Sequence, residues 1–543
     1  MDIKLNKMRR TIQTIQYVIL LAIATSAFGQ PIYQSFKFNR FMEYLDKYYV
    51  DSIDAEKVVE KAIMHTLEEL DPHSVYISEE DFKKMNEPLQ GNFEGVGIQF
   101  NILKDTLIVI SPISGGPSEK VGIIAGDRII KVDGKNIAGI GLTNEDVFSL
   151  LRGKKGTIVN VSILRKSYRP AAKSKNLIDF TITRDKIPIF SLDASYMIDD
   201  ETGYIKINRF SATTNEEFSK AIKDLKGQGI KNLILDLTGN GGGYLEAAVN
   251  LADEFLPADR MIVYTEGLNS PRQEFLSTSR GDFEKGKLVV LIDEGSASAS
   301  EIVSGAVQDW DRAILIGRRS FGKGLVQRQL LLPDRSAIRL TTSRYYTPSG
   351  RLIQKPYDDG IEKYHKEISE RFEHGEFMHP DSISFPDSLK YKTLVKQRTV
   401  FGGGGIMPDI FVPFDTNAFT DYYRDLVRKG TMHNYALTYL DKNREQLSKK
   451  YTDFNTFNDK FKLSKKDLNA LCDQAKKDNI EVSDSSEISK SEEQISRLVK
   501  AYIARDLFTR SEFFQVLNEE DETYQKALEV IRDWKNSYSE VFQ

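Results

Sequence analysis

Two early stretches carry apolar residues at three- and four-residue spacing. They are FNRFMEYLDKYYV (38–50) and DAEKVVEKAIMHTLEELD (54–71), and the spacing predicts a helix in each. Asp71-Pro72 ends the second helix, because the residue before a proline is pushed out of the helical region. From Gly91 the character changes. GVGIQFNI, TLIVISPI, DRIIKVDG and TIVNVSILR alternate or run apolar over strand lengths, and Asp133-Gly134 is a hairpin signal. Among them TNEDVFSLLRG reads as a helix capped by Thr143, with Asp146 three residues on and Gly153 as its stop. A compact β-rich domain is therefore expected over 91–184, after an N-terminal helical region over 31–90. YRPAAKSKN (168–176) reads as an exposed hairpin loop within it.

The pattern changes again near residue 190. GYIKINRF precedes the helical TNEEFSKAIKDLKGQG, KNLILDLTGNGGG runs into YLEAAVNLADEFLP, and KLVVLIDEGSASAS runs into EIVSGAVQDW. Near-continuous apolar strands alternating with helices predict an α/β layer buried on both faces. This core is assigned to 185–415, irregular after Gly350 and with a glycine run at FGGGGIMPDIFVP. Residues 416–543 are charged and amphipathic, and are expected to form a C-terminal helical appendage.

Composition changes this picture little. A chain of 543 residues fits three or four domains, and 40% hydrophobic with 28% charged residues is globular. A net charge of −4 gives no case for nucleic-acid binding. The single cysteine, Cys472, excludes an internal disulfide and a cysteine-rich zinc site. The N-terminus adds more. Lys4, Lys7, Arg9 and Arg10 precede an apolar run that ends in Ala27-Phe28-Gly29, the layout of a signal peptide over 1–29. Left uncleaved, the segment could serve as a single inner-membrane anchor. Export follows in either case, to the periplasm or the outer face of the inner membrane.

Three glycine- or serine-rich turns stand at strand ends. GRRSFGKGLVQ (317–327) contains most of a phosphate-binding loop, but Gly324 replaces the hydroxyl residue after Lys323, and strand-forming residues follow where a helix is required. LDLTGNGGG fails the dinucleotide fingerprint, because Tyr244 stands where the third glycine belongs. DEGSASASEI places Ser296, Ser298 and Ser300 at a helix N-terminus. There a serine either caps the helix or attacks a carbonyl whose oxyanion the free N–H groups stabilise. None of the six histidines lies in the α/β segment of about 190–355 that carries the serines, so a histidine base would have to come from outside it. Lysine is the other suitable base, since serine-lysine dyads are a variant of the serine-histidine triad. Lys323 would need its amine lowered about three units from its usual value of about 10.4, which burial can supply. Gln327, four residues on, could orient the amine without favouring its charged form as a carboxylate would.

Taken together, LDPHSVYIS, GVGIQF, GDRIIKVDG, LRGKKGT, GSASASEI, FGKGLVQ, TTSRYYTPSGRLIQ and GIMPDIFVP, in that order over roughly 40–415, resemble the C-terminal processing peptidases, or tail-specific proteases. The resemblance implies a PDZ domain inserted before a peptidase core of the crotonase and Clp-protease kind, and no cofactor or metal. It implies Ser298 as nucleophile, Lys323 as general base and Gln327 as the residue that positions the lysine. Ala299 and Gly242 would supply the oxyanion hole. In the PDZ domain, Gly95, Val96, Gly97 and Ile98 would capture a peptide carboxylate, and Arg152 would couple peptide binding to the active site. Val147, Leu150 and Leu151 either line the peptide groove or belong to the core. The implied partners are unfolded or tail-exposed envelope proteins, with a homodimer and a regulatory adaptor also in the family's repertoire. Thr238 departs from the arginine usual in the family's LDLR, which leaves the anchoring of the oxyanion turn unexplained. A catalytically impaired peptide-binding scaffold is the alternative that this departure suggests.

Overall fold

A computed structural model describes residues 33–165, 177–415, 419–482, 484 and 486–542. The signal segment expected at 1–29 and the hairpin loop at 168–176 lie outside the described residues. No helix among the described residues is long and apolar enough to cross a membrane.

The core is a six-stranded sheet in the order Leu192–Met197, Thr202–Ile207, Asn232–Asp236, Lys287–Ile292, Ile314–Gly317, Ile410–Phe411. The first pair is antiparallel and the rest are parallel. Side chains alternate between its faces, as the two-residue strand period requires. Ile205, Leu233, Leu235, Leu288, Val290 and Leu315 meet the helices Thr214–Gly227, Leu245–Asp253 and Ala299–Asp309. Tyr204, Ile234, Val289, Leu291, Ile314 and Ile316 face the other way and pack on Tyr524, Ala527, Leu528 and Ile531 of the Glu522–Arg532 helix. The C-terminal region is thus more than an appendage, because its penultimate helix is the second layer over the sheet. The sheet's own composition explains this, since strands apolar on both faces need cover on both.

A second, antiparallel sheet stands beside the first. Its long strand Ala337–Tyr346 pairs with Val75–Ile77, Met261–Gly267 and Leu325–Leu331. The β-rich domain is joined to the rest through a two-stranded ribbon, Asn92–Gly95 with Asp185–Pro188. Thr143 and Asp146 form the expected reciprocal cap on the Asn144–Leu151 helix. The C-terminal helices from Asp421–Arg428 to Arg510–Asn518 share their own core around Leu426, Leu440, Phe457 and Val499. An ion pair of 2.9 Å between Arg128 and Asp441 ties that bundle to the inserted domain.

Candidate active site

Ser298 immediately precedes the Ala299–Asp309 helix, with φ 56° and ψ −109°. Holding a non-glycine residue in such a conformation costs about 1–3 kcal/mol, and only a surrounding structure that over-determines it can do so. Much of that structure is Glu301, which is fully buried. Its carboxylate accepts from the backbone N–H of Ser298 at 2.7 Å, of Gly322 at 2.7 Å and of Lys323 at 2.9 Å, and from the Ser320 hydroxyl at 2.5 Å. Burial pushes the Glu301 carboxyl up, against the pull of these donors. A second clamp joins the same two residues. The buried Tyr345 hydroxyl is 3.0 Å from the Ser298 carbonyl oxygen and 2.6 Å from that of Lys323. Ser298 and Lys323 come together through their backbones, 25 positions apart in the chain. No hydrogen bond joins Ser298 Oγ to Lys323 Nζ.

Lys323 leads into the Leu325–Leu331 strand, not into a helix, so the geometry of a phosphate-binding loop is missing. Burial brings its amine down to about 8. The positive charge of Arg339 works in the same direction, while Glu301 and Asp71 oppose it. One histidine does reach the neighbourhood from outside the core, His73 of the LDPHS segment. Its Nε2 is 2.8 Å from the Tyr364 hydroxyl. Burial, and then the charge of Lys323, pull its imidazole down to about 4. Gln327 lies on the strand that follows Lys323, and its Nε2 donates to Thr341 Oγ1 at 3.4 Å.

Gly242 packs directly against the serine. It has φ 101°, and a Cβ there would stand 2.8 Å from Ser298 Cβ and 3.1 Å from the Ala299 nitrogen, so the turn admits only glycine. Asn240, buried and unassigned by the sequence reading, sets this turn. Its Oδ1 accepts from Gly242 N–H at 2.9 Å, and its carbonyl oxygen accepts from Ala297 N–H and from Ser300 Oγ. In this structure the Gly242 N–H is therefore engaged by Asn240. Ala299, as the first helical residue, has no acceptor for its N–H within the helix. The base of the turn is anchored by a cation from the neighbouring strand. Lys206 Nζ lies 2.8 Å from both Asp236 Oδ2 and Thr238 Oγ1, and Thr238 Oγ1 in turn donates to Asp236 Oδ1 at 2.7 Å. Thr238 is thus held without an arginine at its own position.

In the inserted domain, Gly95 ends the connecting ribbon, and Gly97 has φ 74°. The Val96 carbonyl oxygen accepts from the N–H and hydroxyl of Ser118. Ile98 opens the Ile98–Ile102 strand, which among the described residues has a strand partner on one side only. Beside it stands the Asn144–Leu151 helix. Phe100 and Phe148 meet edge to face between the two, with ring centroids 5.6 Å apart. Phe148 is half exposed, and the sequence reading did not single it out. Val147 and Leu151 are buried in the domain core, and Leu150 is partly buried against it. For Val147, with no exposed surface, this means packing and not the groove. Arg152 caps the helix, pairs with Glu87 at 2.6 Å and stacks over Phe93 and Phe148.

Comparison with known proteins adds to this geometry. The model of Peptidase family S41 matches residues 201–363, a PDZ domain model matches 108–165, and a family of unknown function, DUF8443, matches 422–509. A carboxy-terminal-processing protease of Bartonella bacilliformis is 38% identical over 342 residues, covering 62% of this chain and 76% of the relative. The carboxy-terminal processing protease CtpA of Bacillus subtilis is 36% identical over 320 residues, covering 59% of this chain and 66% of its own. Among solved structures, a photosystem II D1 C-terminal processing protease is 30% identical. It covers 58% of this chain and 83% of its own, with a TM-score of 0.34.

Proposed function

We propose a mechanism on one premise: the chain belongs to peptidase family S41, as a carboxy-terminal-processing serine protease with a PDZ domain. In this mechanism Ser298 Oγ attacks the carbonyl carbon of the scissile bond while neutral Lys323 takes its proton. Lys323 then delivers that proton to the leaving amine, and water attacks the acyl-enzyme by the same route in reverse. The observation that carries the reading is the double clamp. Glu301 and Tyr345 bind the backbones of both residues, so base and nucleophile form one rigid unit. An amine at about 8 leaves roughly a tenth of the lysine neutral at pH 7. That is enough for a base with strong driving force. Gln327 orients the amine, and the oxyanion binds to the Ala299 N–H. The Gly242 N–H joins once it exchanges Asn240 Oδ1 for the developing charge.

The PDZ domain takes the substrate's C-terminal segment as an added strand along Ile98–Ile102. Its carboxylate lies near Gly95–Gly97, and Arg152 stands at the junction with the Glu79–Gln90 helix. The basic and apolar N-terminus supports action outside the cytoplasm, on unfolded or tail-exposed envelope proteins. Replacing Ser298 with alanine tests the core of this. The variant should bind a C-terminal peptide as the native chain does and cleave nothing. Cleavage of unfolded protein by Ser298→Ala, free of contaminating protease, would remove the assignment. Mass spectrometry of envelope-protein C-termini with and without active enzyme identifies the substrates.

A further inference from the structure

We infer that Asp71 and Thr341 are positioning residues for Gln327, setting which end of its amide faces the catalytic lysine. The inference rests on the proposed role of Gln327 and concerns how that role is enforced. Asp71 is almost fully buried. Its Oδ1 accepts from the backbone N–H of His73 at 2.8 Å and of Ser74 at 2.9 Å, and from Thr341 Oγ1 at 3.0 Å. Its Oδ2 accepts from Ser74 Oγ at 2.6 Å. Ser74 Oγ in turn accepts from the Thr341 backbone N–H at 3.1 Å. The LDPHS turn therefore grips Thr341 by both its backbone and its side chain.

Proton counting then sets the amide. Asp71 Oδ1 already accepts from two backbone N–H groups, so it meets Thr341 as an acceptor and takes the one hydroxyl hydrogen of Thr341. The Thr341 oxygen is left with acceptor capacity alone. Only the NH2 end of Gln327 can meet it, and the 3.4 Å contact from Gln327 Nε2 is that meeting. The amide oxygen is then the opposite end, which is the end required to accept from the Lys323 amine. With the amide turned over, two acceptors would face each other at Thr341 and an NH2 group would be offered to the lysine. The strand register makes the pairing possible. The ladder between Leu325–Leu331 and Ala337–Tyr346 shifts between Val326 and Gln327, so Gln327 stands opposite Thr341 instead of Thr342.

The test is steady-state cleavage of an unstructured, internally quenched peptide by the full chain. The variants are Thr341→Val, Thr341→Ser, Gln327→Ala and the double variant Gln327→Ala/Thr341→Val. Thr341→Val keeps the backbone bond to Ser74 and removes only the hydroxyl. It should lower kcat about tenfold with KM within about twofold, while Thr341→Ser stays within about threefold of the native kcat. In the Gln327→Ala background the valine should change kcat by less than about twofold, because the amide it orients is gone. An equal loss in both backgrounds overturns the inference, as does a native kcat in Thr341→Val. If Gln327→Ala itself keeps full kcat, the proposed role of Gln327 falls and this inference with it. If only Thr341→Val is silent, the positioning alone falls. Thr341→Ala makes the same measurement should the valine variant melt early.

Discussion

In the proposed mechanism Lys323 sheds its proton before it acts, and its surroundings decide at what pH that happens. Burial and then Arg339 lower its pKa to about 8, while Glu301 and Asp71 hold it up. A base that works only when neutral gives a rate that climbs as pH rises through its pKa. We therefore expect kcat/KM to rise with pH, with a midpoint near 8. Arg339→Gln removes a charge that lowers the pKa, so the midpoint should move to higher pH; a shift to lower pH would contradict the assignment of the limb to Lys323. Glu301 allows a stability prediction. Glu301→Gln presents an NH2 group where the carboxylate received four donors, leaving at least one buried N–H unpaired. A loss of about 2–3 kcal/mol, read from denaturant unfolding, is expected together with loss of cleavage. That a serine of DEGSASASEI could cap the helix was legible in the chain, but the part played by Glu301 was not read there. Its carboxylate also receives Gly322 and Lys323, and those partners arrive from another strand end.

The elements around the site are turns more than helices or strands. The Thr238–Gly243 turn approaches Ser298 so closely that Gly242 has no room for a side chain. Gly242→Ala should cut kcat about a hundredfold while peptide binding to the PDZ domain, measured by fluorescence anisotropy, stays unchanged. Its glycines marked this turn as special in the sequence. Asn240, the buried residue that ties it to Ala297, Ser300 and Gly242, gave no comparable signal, since one asparagine in a polar turn has many uses. Lys206 is similar. Its role at Thr238 depends on two strands lying side by side, which the chain order alone does not state.

At the scale of the molecule, the C-terminal region reaches back to the central sheet through its Glu522–Arg532 helix. Ile531 and Leu528 lie on the sheet face opposite the Ala299–Asp309 helix and cover Ile314, Ile316 and Val289. Burying each such side chain stabilises by about 1.5–3 kcal/mol. Ile531→Ala should therefore destabilise the main unfolding transition by about 2–4 kcal/mol, measured by denaturant titration. A detached appendage would leave that transition unmoved. The helical pattern after residue 416 was evident from the amphipathic spacing. Its destination was not, because an apolar helix face states that it needs cover and does not say which sheet provides it.

What the sequence alone determined was local and ordered: the change from helical to strand period near residue 91, the return to alternation near 190, and the succession of glycine and serine turns. These follow from periodicity, caps and turn chemistry, which act over a few residues. Ser298, Lys323 and Gln327 could be singled out because each sits in such a turn or just after one. The tertiary structure decided which buried polar groups meet. Asp71 reaches Thr341 across 270 positions, Lys206 reaches Thr238 across 32, and Tyr345 reaches both Ser298 and Lys323. Buried donors and acceptors must find partners wherever the fold brings them. Pairing across such distances depends on proximity in space, and local sequence pattern does not encode it.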